Sequence, residues 1–144
     1  MSEHEKRSHA RNDFERQVQI EFFTEVYDKC QVENISLGGI FVTGKFPDNL
    51  DDKCYINFTQ TSKETCLTFQ ALTQVVRQDD KGIALKFTSM SFESLLSLEM
   101  VLLYQEREKS PDSELKLPKD LPFEIIEKTS CIPYKYNQLL DQIK

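Results

Sequence analysis

Between residues 17 and 87 of this 144-residue chain, apolar and polar side chains alternate with a period of two in several separate runs. In 17–28, Val18, Ile20, Phe22, Thr24 and Val26 fall on one side, and Gln17, Gln19, Glu21 and Glu25 on the other. Successive side chains of a strand point to opposite faces, so this run reads as one half-buried strand. An extended run restarts at Ile40–Thr43, and residues 47–53 are turn chemistry. Cys54, Ile56 and Phe58 then alternate, followed by Leu67, Phe69, Ala71, Thr73 and Val75 within 65–77. A tight connection, Gln78-Asp79-Asp80-Lys81-Gly82, leads to Ile83, Leu85 and Phe87. Short strands joined by polar turns, with no helix between them, form an antiparallel sheet or barrel.

The period changes after residue 90. Ser91 reads as an N-cap, Glu93 suits the positive end of a helix, and the helix runs from Phe92 to about Lys109. Residues 95–104 are apolar nearly all round, whereas a surface helix shows one stripe. A second face therefore needs cover, from the C-terminal tail or from a second copy in a homodimer through 92–109. Leu102, inside that apolar run, is where a charge would test the dimer. Residues 110–122 hold three of the five prolines and read as a linker or an extended wrap. Beyond them lies a second apolar set: Phe123, Ile125, Ile126, Ile132, Tyr134, Tyr136, Leu139, Leu140 and Ile143. Residues 135–143 suit a short helix. The chain thus divides into an arm (1–16), a folded unit (17–109) and a C-terminal extension (110–144).

A net charge of −6 argues against nonspecific nucleic-acid or anionic-membrane binding, which requires a basic surface. No run approaches the ~20 apolar residues of a membrane span, and the N-terminus lacks the apolar stretch of a signal peptide. A cytoplasmic location without membrane insertion is expected. Cys30, Cys54, Cys66 and Cys131 form no close-spaced pair, so the expectation is free thiols and no metal site. His4 and His9 both lie in the polar arm and read as exposed. No nucleophile–base pair, phosphate loop or metal-ligand spacing is present, so an enzyme is not expected.

Two short motifs carry the candidate chemistry. Arg7 and Arg11 stand four apart in Arg7-Ser8-His9-Ala10-Arg11, with Lys6 extending the basic run toward a phosphate. Arginine presents a planar fork of donors that meets phosphate or a guanine edge with two hydrogen bonds, and it stacks on flat rings. Asn34-Ile35-Ser36-Leu37-Gly38-Gly39 follows a strand. Asn34 and Ser36 have short side chains able to bond a base edge or brace a turn. Gly39, beside Gly38, permits a positive φ or close approach of a ligand to the backbone. A cationic arm and a rigid polar turn together form a clamp for a planar anion, and binding would order the arm.

These motifs resemble the two signatures of the PilZ domain family, Arg-x-x-x-Arg and Asp/Asn-x-Ser-x-x-Gly, and Gly82-Ile83-Ala84-Leu85-Lys86-Phe87 is similar to the family's later strand. The resemblance covers roughly residues 5–104. It implies a mainly β fold, a six-stranded antiparallel split β-barrel followed by a C-terminal α-helix and, here, an extended or helical tail. It implies a bacterial receptor for cyclic di-GMP that relays the signal to a protein effector. The implied ligand contacts are Arg7, Arg11, Asn34, Ser36 and Gly39, with Lys6 and Gly38 secondary; no cofactor is implied. Glu3, Glu5, Asp13 and Glu15 lower the arm's positive potential, so the expected affinity is modest. The alternative is a protein-interaction adaptor of the same fold, acting through the apolar helix and tail.

Overall fold

The computed structural model describes residues 15–48, 50–112 and 114–127. In chain order the elements are β1 (Glu15–Glu21), β2 (Val26–Ile35), β3 (Gly39–Thr43), β4 (Lys53–Thr61), β5 (Cys66–Gln78), β6 (Gly82–Ser91), α1 (Phe92–Lys109) and β7 (Glu124–Ile126). The strands pair in the order β3-β2-β1-β4-β5-β6, and β3 also pairs with β6, which closes the sheet. The result is a six-stranded antiparallel barrel with a helix after it. β7 is added outside the closed ring, parallel to β6, with Ile126 beside Ser91. No helix among the described residues is long and apolar enough to cross a membrane.

The first strand of the sequence reading is corrected. Residues 17–28 are not a single strand. The Phe22 N–H donates to the Glu25 carbonyl at 2.8 Å, closing a turn between β1 and β2. Period two continues through that turn by coincidence of composition, so alternation alone hid it. Phe22 stays in the core, but Val26 starts β2 on the outside at 40% exposure.

Elsewhere the inward positions are those the alternation marks. Val18, Ile20, Ile56, Phe58, Phe69, Ala71, Ile83, Leu85 and Phe87 are buried. Their burial is the main favourable term of folding, at roughly 1.5–3 kcal/mol for each large aliphatic or aromatic side chain. Aromatic rings thread the barrel. Phe58 stacks on Phe69 with centroids 4.7 Å apart, Phe69 meets Phe87 edge to face, and Phe87 meets Phe123 in the same way. Phe123 follows the proline-rich stretch, and Leu115 and Leu121 also pack on the core. Residues 114–123 therefore wrap against the fold rather than project from it.

Glycine makes the closure possible. A Cβ on Gly39 would sit 2.1 Å from the Leu85 carbonyl oxygen, and one on Gly82 would sit 2.0 Å from that of Val42. These positions lie at the two ends of the β3–β6 pair, where Gly39 faces Lys86 and Thr43 faces Gly82. Strands that close a small barrel approach too tightly at such corners for any side chain.

The helix starts where the sequence places it. Ser91 is extended, and its hydroxyl accepts from the Ser94 N–H at 3.1 Å. Leu95, Leu98, Val101 and Leu102 pack on the barrel, while Phe92, Leu96 and Met100 face outward at 58%, 46% and 40% exposure. Leu102 is thus a core residue, not a probe of an outer interface. At the far end of α1, Arg16 joins helix to barrel. Its Nη2 meets a Glu108 oxygen at 2.8 Å, and its Nε donates to Oε1 of the buried Gln60 at 2.7 Å.

Candidate functional site

The Asn34–Gly39 motif is the connection from β2 to β3. The Ser36 N–H donates to the Gly39 carbonyl at 2.9 Å, and the Ser36 hydroxyl accepts from the Gly38 N–H at 3.3 Å. The Gly38 carbonyl in turn accepts from the Phe87 N–H at 2.9 Å. Ser36 therefore braces the turn, and β6 anchors it. The register of β2 against β3 shifts between Val32 and Asn34. This bulge breaks the alternation and turns both Glu33 and Asn34 outward. On the other side, Nε2 of Gln105 on α1 donates to the Ile35 carbonyl at 3.1 Å, tying the helix to the middle of the motif.

Gly39 is needed for a different reason from the one its sequence context implies. Gly44 is the only described glycine at positive φ, so Gly39 is not a left-handed position. The close approach seen at Gly39 is that of the β6 backbone. A Cβ on Gly38 would meet only the Ser36 hydroxyl, at an ordinary contact distance of 4.0 Å.

Asn34, Ser36 and Gly39 border a depression of about 310 Å³, whose other walls include Phe41, Val76 and Lys86. A neighbouring depression of about 640 Å³ shares Asn34, Phe41, Val76 and Ala84 and adds Glu33, Arg77, Asp79 and Lys81. A second bulge, in β5 between Val75 and Arg77, turns Val76 outward at 57% exposure. The Arg77 guanidinium carbon lies 5.5 Å from the centre of the Phe41 ring, a cation–π distance. Its Nε is 3.9 Å from an Asp79 oxygen, a long and exposed ion pair of little energetic weight. Backbone N–H donation from Lys81 holds the Asp79 carboxyl below its ordinary range, so Asp79 stays ionised.

Phe41, Val76, Arg77 and Lys86 did not stand out in the sequence. The one available signal was Val75-Val76, two β-branched residues in succession inside an alternating strand, which is how a bulge reads. Lys6, Arg7 and Arg11 lie outside the described residues. The point from which their segment leaves the barrel is described. β1 runs antiparallel to β2 with Gln17 opposite Gln31, so the start of β1 at Glu15 lies at the same end of that pair as Asn34 and Ile35, the last residues of β2.

The family model for the PilZ domain matches residues 5–103. The chain belongs to the PilZ domain family. No curated protein matches it. PilZ domains are binding modules, generally receptors for cyclic di-GMP, rather than enzymes. The matched span takes in both Arg7-Ser8-His9-Ala10-Arg11 and Asn34-Ile35-Ser36-Leu37-Gly38-Gly39, and it ends within α1. The closed barrel followed by one helix is the PilZ fold. In this PilZ domain the outward surface next to the Asn–Ser turn carries an aromatic ring, an arginine and two lysines within one pair of depressions. Such a surface offers stacking and charge to a flat anion, and Asn34 offers an edge contact.

Proposed function

We propose that this chain is a bacterial, cytoplasmic receptor that binds cyclic di-GMP between its N-terminal arginines and its β2–β3 turn. The observation that carries the reading is the shared exit. The arm leaves the barrel at the end of β1 that adjoins Asn34, and Arg11 stands four residues before Glu15. At ~3.3–3.6 Å per extended residue, such a segment covers about 14 Å, enough for Arg11 to reach over the turn. Arg7 and Arg11 supply bidentate contacts to phosphate or to the guanine O6/N7 edge, with Lys6 adding charge. Asn34 bonds a base edge. Ser36 holds the turn in shape, and Gly39, with Gly38, lets that turn lie close against β6. Phe41 and Arg77 extend the surface with a stacking platform.

Binding is the whole activity; no step of bond making is assigned. Ordering of the arm on the ligand costs free energy and so makes the arm a switch. Gln105, bonded to the motif backbone, gives the same event a route to α1 and to a protein effector. A second reading, an adaptor that recognises a protein through α1, is favoured by the outward Phe92, Leu96 and Met100.

Titration calorimetry with cyclic di-GMP, with GTP and cyclic di-AMP as controls, tests the receptor. Saturable binding of cyclic di-GMP alone is expected. Arg7→Ala and Arg11→Ala should each weaken it by about 2 kcal/mol, the scale of a lost charge-assisted contact. Binding that is unchanged in both variants would remove the clamp, and no binding by the native chain would leave the adaptor.

A further inference from the structure

The outer stripe of α1 is an exposed apolar feature, among the described residues, that the nucleotide site does not use. Phe92, Leu96 and Met100 recur every four residues on one face, each at least 40% exposed. At 1.5 Å per residue the stripe is about 12 Å long. Three large apolar side chains exposed on one helical face make it a candidate interface.

The path of the chain identifies the occupant. β7 runs parallel to β6, and its last residue, Ile126, lies beside Ser91, the N-cap of α1. The C-terminal segment therefore sets out from the helix end at which the stripe begins. Residues 128–144 then remain, and in them Tyr136, Leu139, Leu140 and Ile143 recur at i, i+3, i+4 and i+7, the spacing of one apolar helical face. Eight residues, the length of 128–135, would give a flexible tether a root-mean-square reach on the order of 15 Å, matched to the length of the stripe.

We propose that the outer stripe of α1 is the docking surface for the chain's own C-terminal segment, seated through Tyr136, Leu139, Leu140 and Ile143. A tether of this length gives the segment an effective concentration on the order of millimolar, which a second copy at micromolar concentration does not match. Packing of Leu139 and Leu140 against Leu96 and Met100 removes apolar surface of both partners from water. The contact stands independently of the nucleotide reading, since Phe92, Leu96 and Met100 do not border the Asn34 depressions.

Methionine oxidation provides the test. Met100 lies on the stripe, whereas Met90 is fully buried and reports barrel integrity. The full-length chain is treated with dilute hydrogen peroxide at several micromolar concentrations, and each sulfoxide is followed by peptide mass spectrometry beside sedimentation velocity. Met100 should react slowly, at a rate independent of chain concentration, in a particle that sediments as a monomer. Leu140→Asp should speed Met100 several-fold and leave Met90 slow. Leu96→Lys, on the opposite side of the contact, should have the same effect and guards against a failure of the first variant alone. Equal Met100 rates in the native chain and both variants would overturn the proposal. So would protection that rises with chain concentration in a dimer, which makes the occupant a second copy.

Discussion

Two adjacent glycines show how much one residue's surroundings decide. In the sequence Gly38 and Gly39 are one polar turn; in the fold only Gly39 is pressed against another backbone. Gly39→Ala should destabilise the barrel by about 2 kcal/mol or more, the scale of an overpacked site that backbone must yield to. Gly38→Ala, whose Cβ would make only an ordinary contact with Ser36, should stay within about 0.5 kcal/mol. Urea unfolding of the two variants measures the contrast, and similar midpoints would contradict the close approach. Arg77 makes a complementary case. Its side chain is 66% exposed and holds only a long ion pair and the Phe41 ring. Arg77→Ala should leave the unfolding midpoint unchanged and weaken cyclic di-GMP binding by about 1 kcal/mol, within the range of cation–π contacts. Calorimetry that finds native affinity in this variant would take Arg77 out of the site. Asn34 and Ser36 were legible because their residue types and spacing are local. Arg77 and Phe41 were not, because 36 positions of sequence separate two groups that meet only where β3 and β5 flank β6, each opposite Ala84.

At the scale of an element, α1 was legible in its bounds and illegible in its orientation. The N-cap, the first-turn acid and the last apolar residues are local signals. Apolar residues on nearly every side leave no stripe to indicate which face turns inward. Burial resolves this, with Leu98 fully enclosed and Leu96 nearly half exposed. Leu98→Ala should cost about 3 kcal/mol, as for other enclosed leucines, and Leu96→Ala clearly less than that. Leu102→Asp, which the sequence alone recommends as a probe of dimerisation, should instead unfold the domain by burying a charge. Thermal unfolding followed by circular dichroism ranks the three. The strands teach a related lesson. Alternation marked their inward residues correctly, yet it ran straight through the β1–β2 turn and did not reveal the two bulges that turn Asn34 and Val76 outward.

For the whole molecule, the barrel's interior sets a pH limit on its stability. Burial pushes the Cys54 thiol from its ordinary value of 9.0 up to about 12. Below about pH 9 the thiol is protonated in both the folded and the unfolded chain, and its contribution is fully present. Above that, the unfolded chain gives up a proton that the folded chain keeps, so stability falls as pH rises toward 12. Tyr27 acts in the same direction from 10.0 to about 12, chiefly because its hydroxyl donates to the Glu25 carboxylate. Urea midpoints should drop between about pH 8 and about pH 10.5, and Cys54→Val should flatten that slope. An equal slope in the variant would show that Cys54 is not the group responsible.

The sequence by itself determined the kind of fold, most of the inward residues, the limits of the helix and the family, because each is written in local periodicity, capping and short motifs. Tertiary structure alone decided that residues 22–25 turn, that Gly39 serves barrel closure, that Leu102 faces inward, and that Arg77 and Phe41 flank the Asn–Ser turn. The division has one physical cause. A period reports which residues share a face, and only the closed pairing of distant strands determines what that face meets.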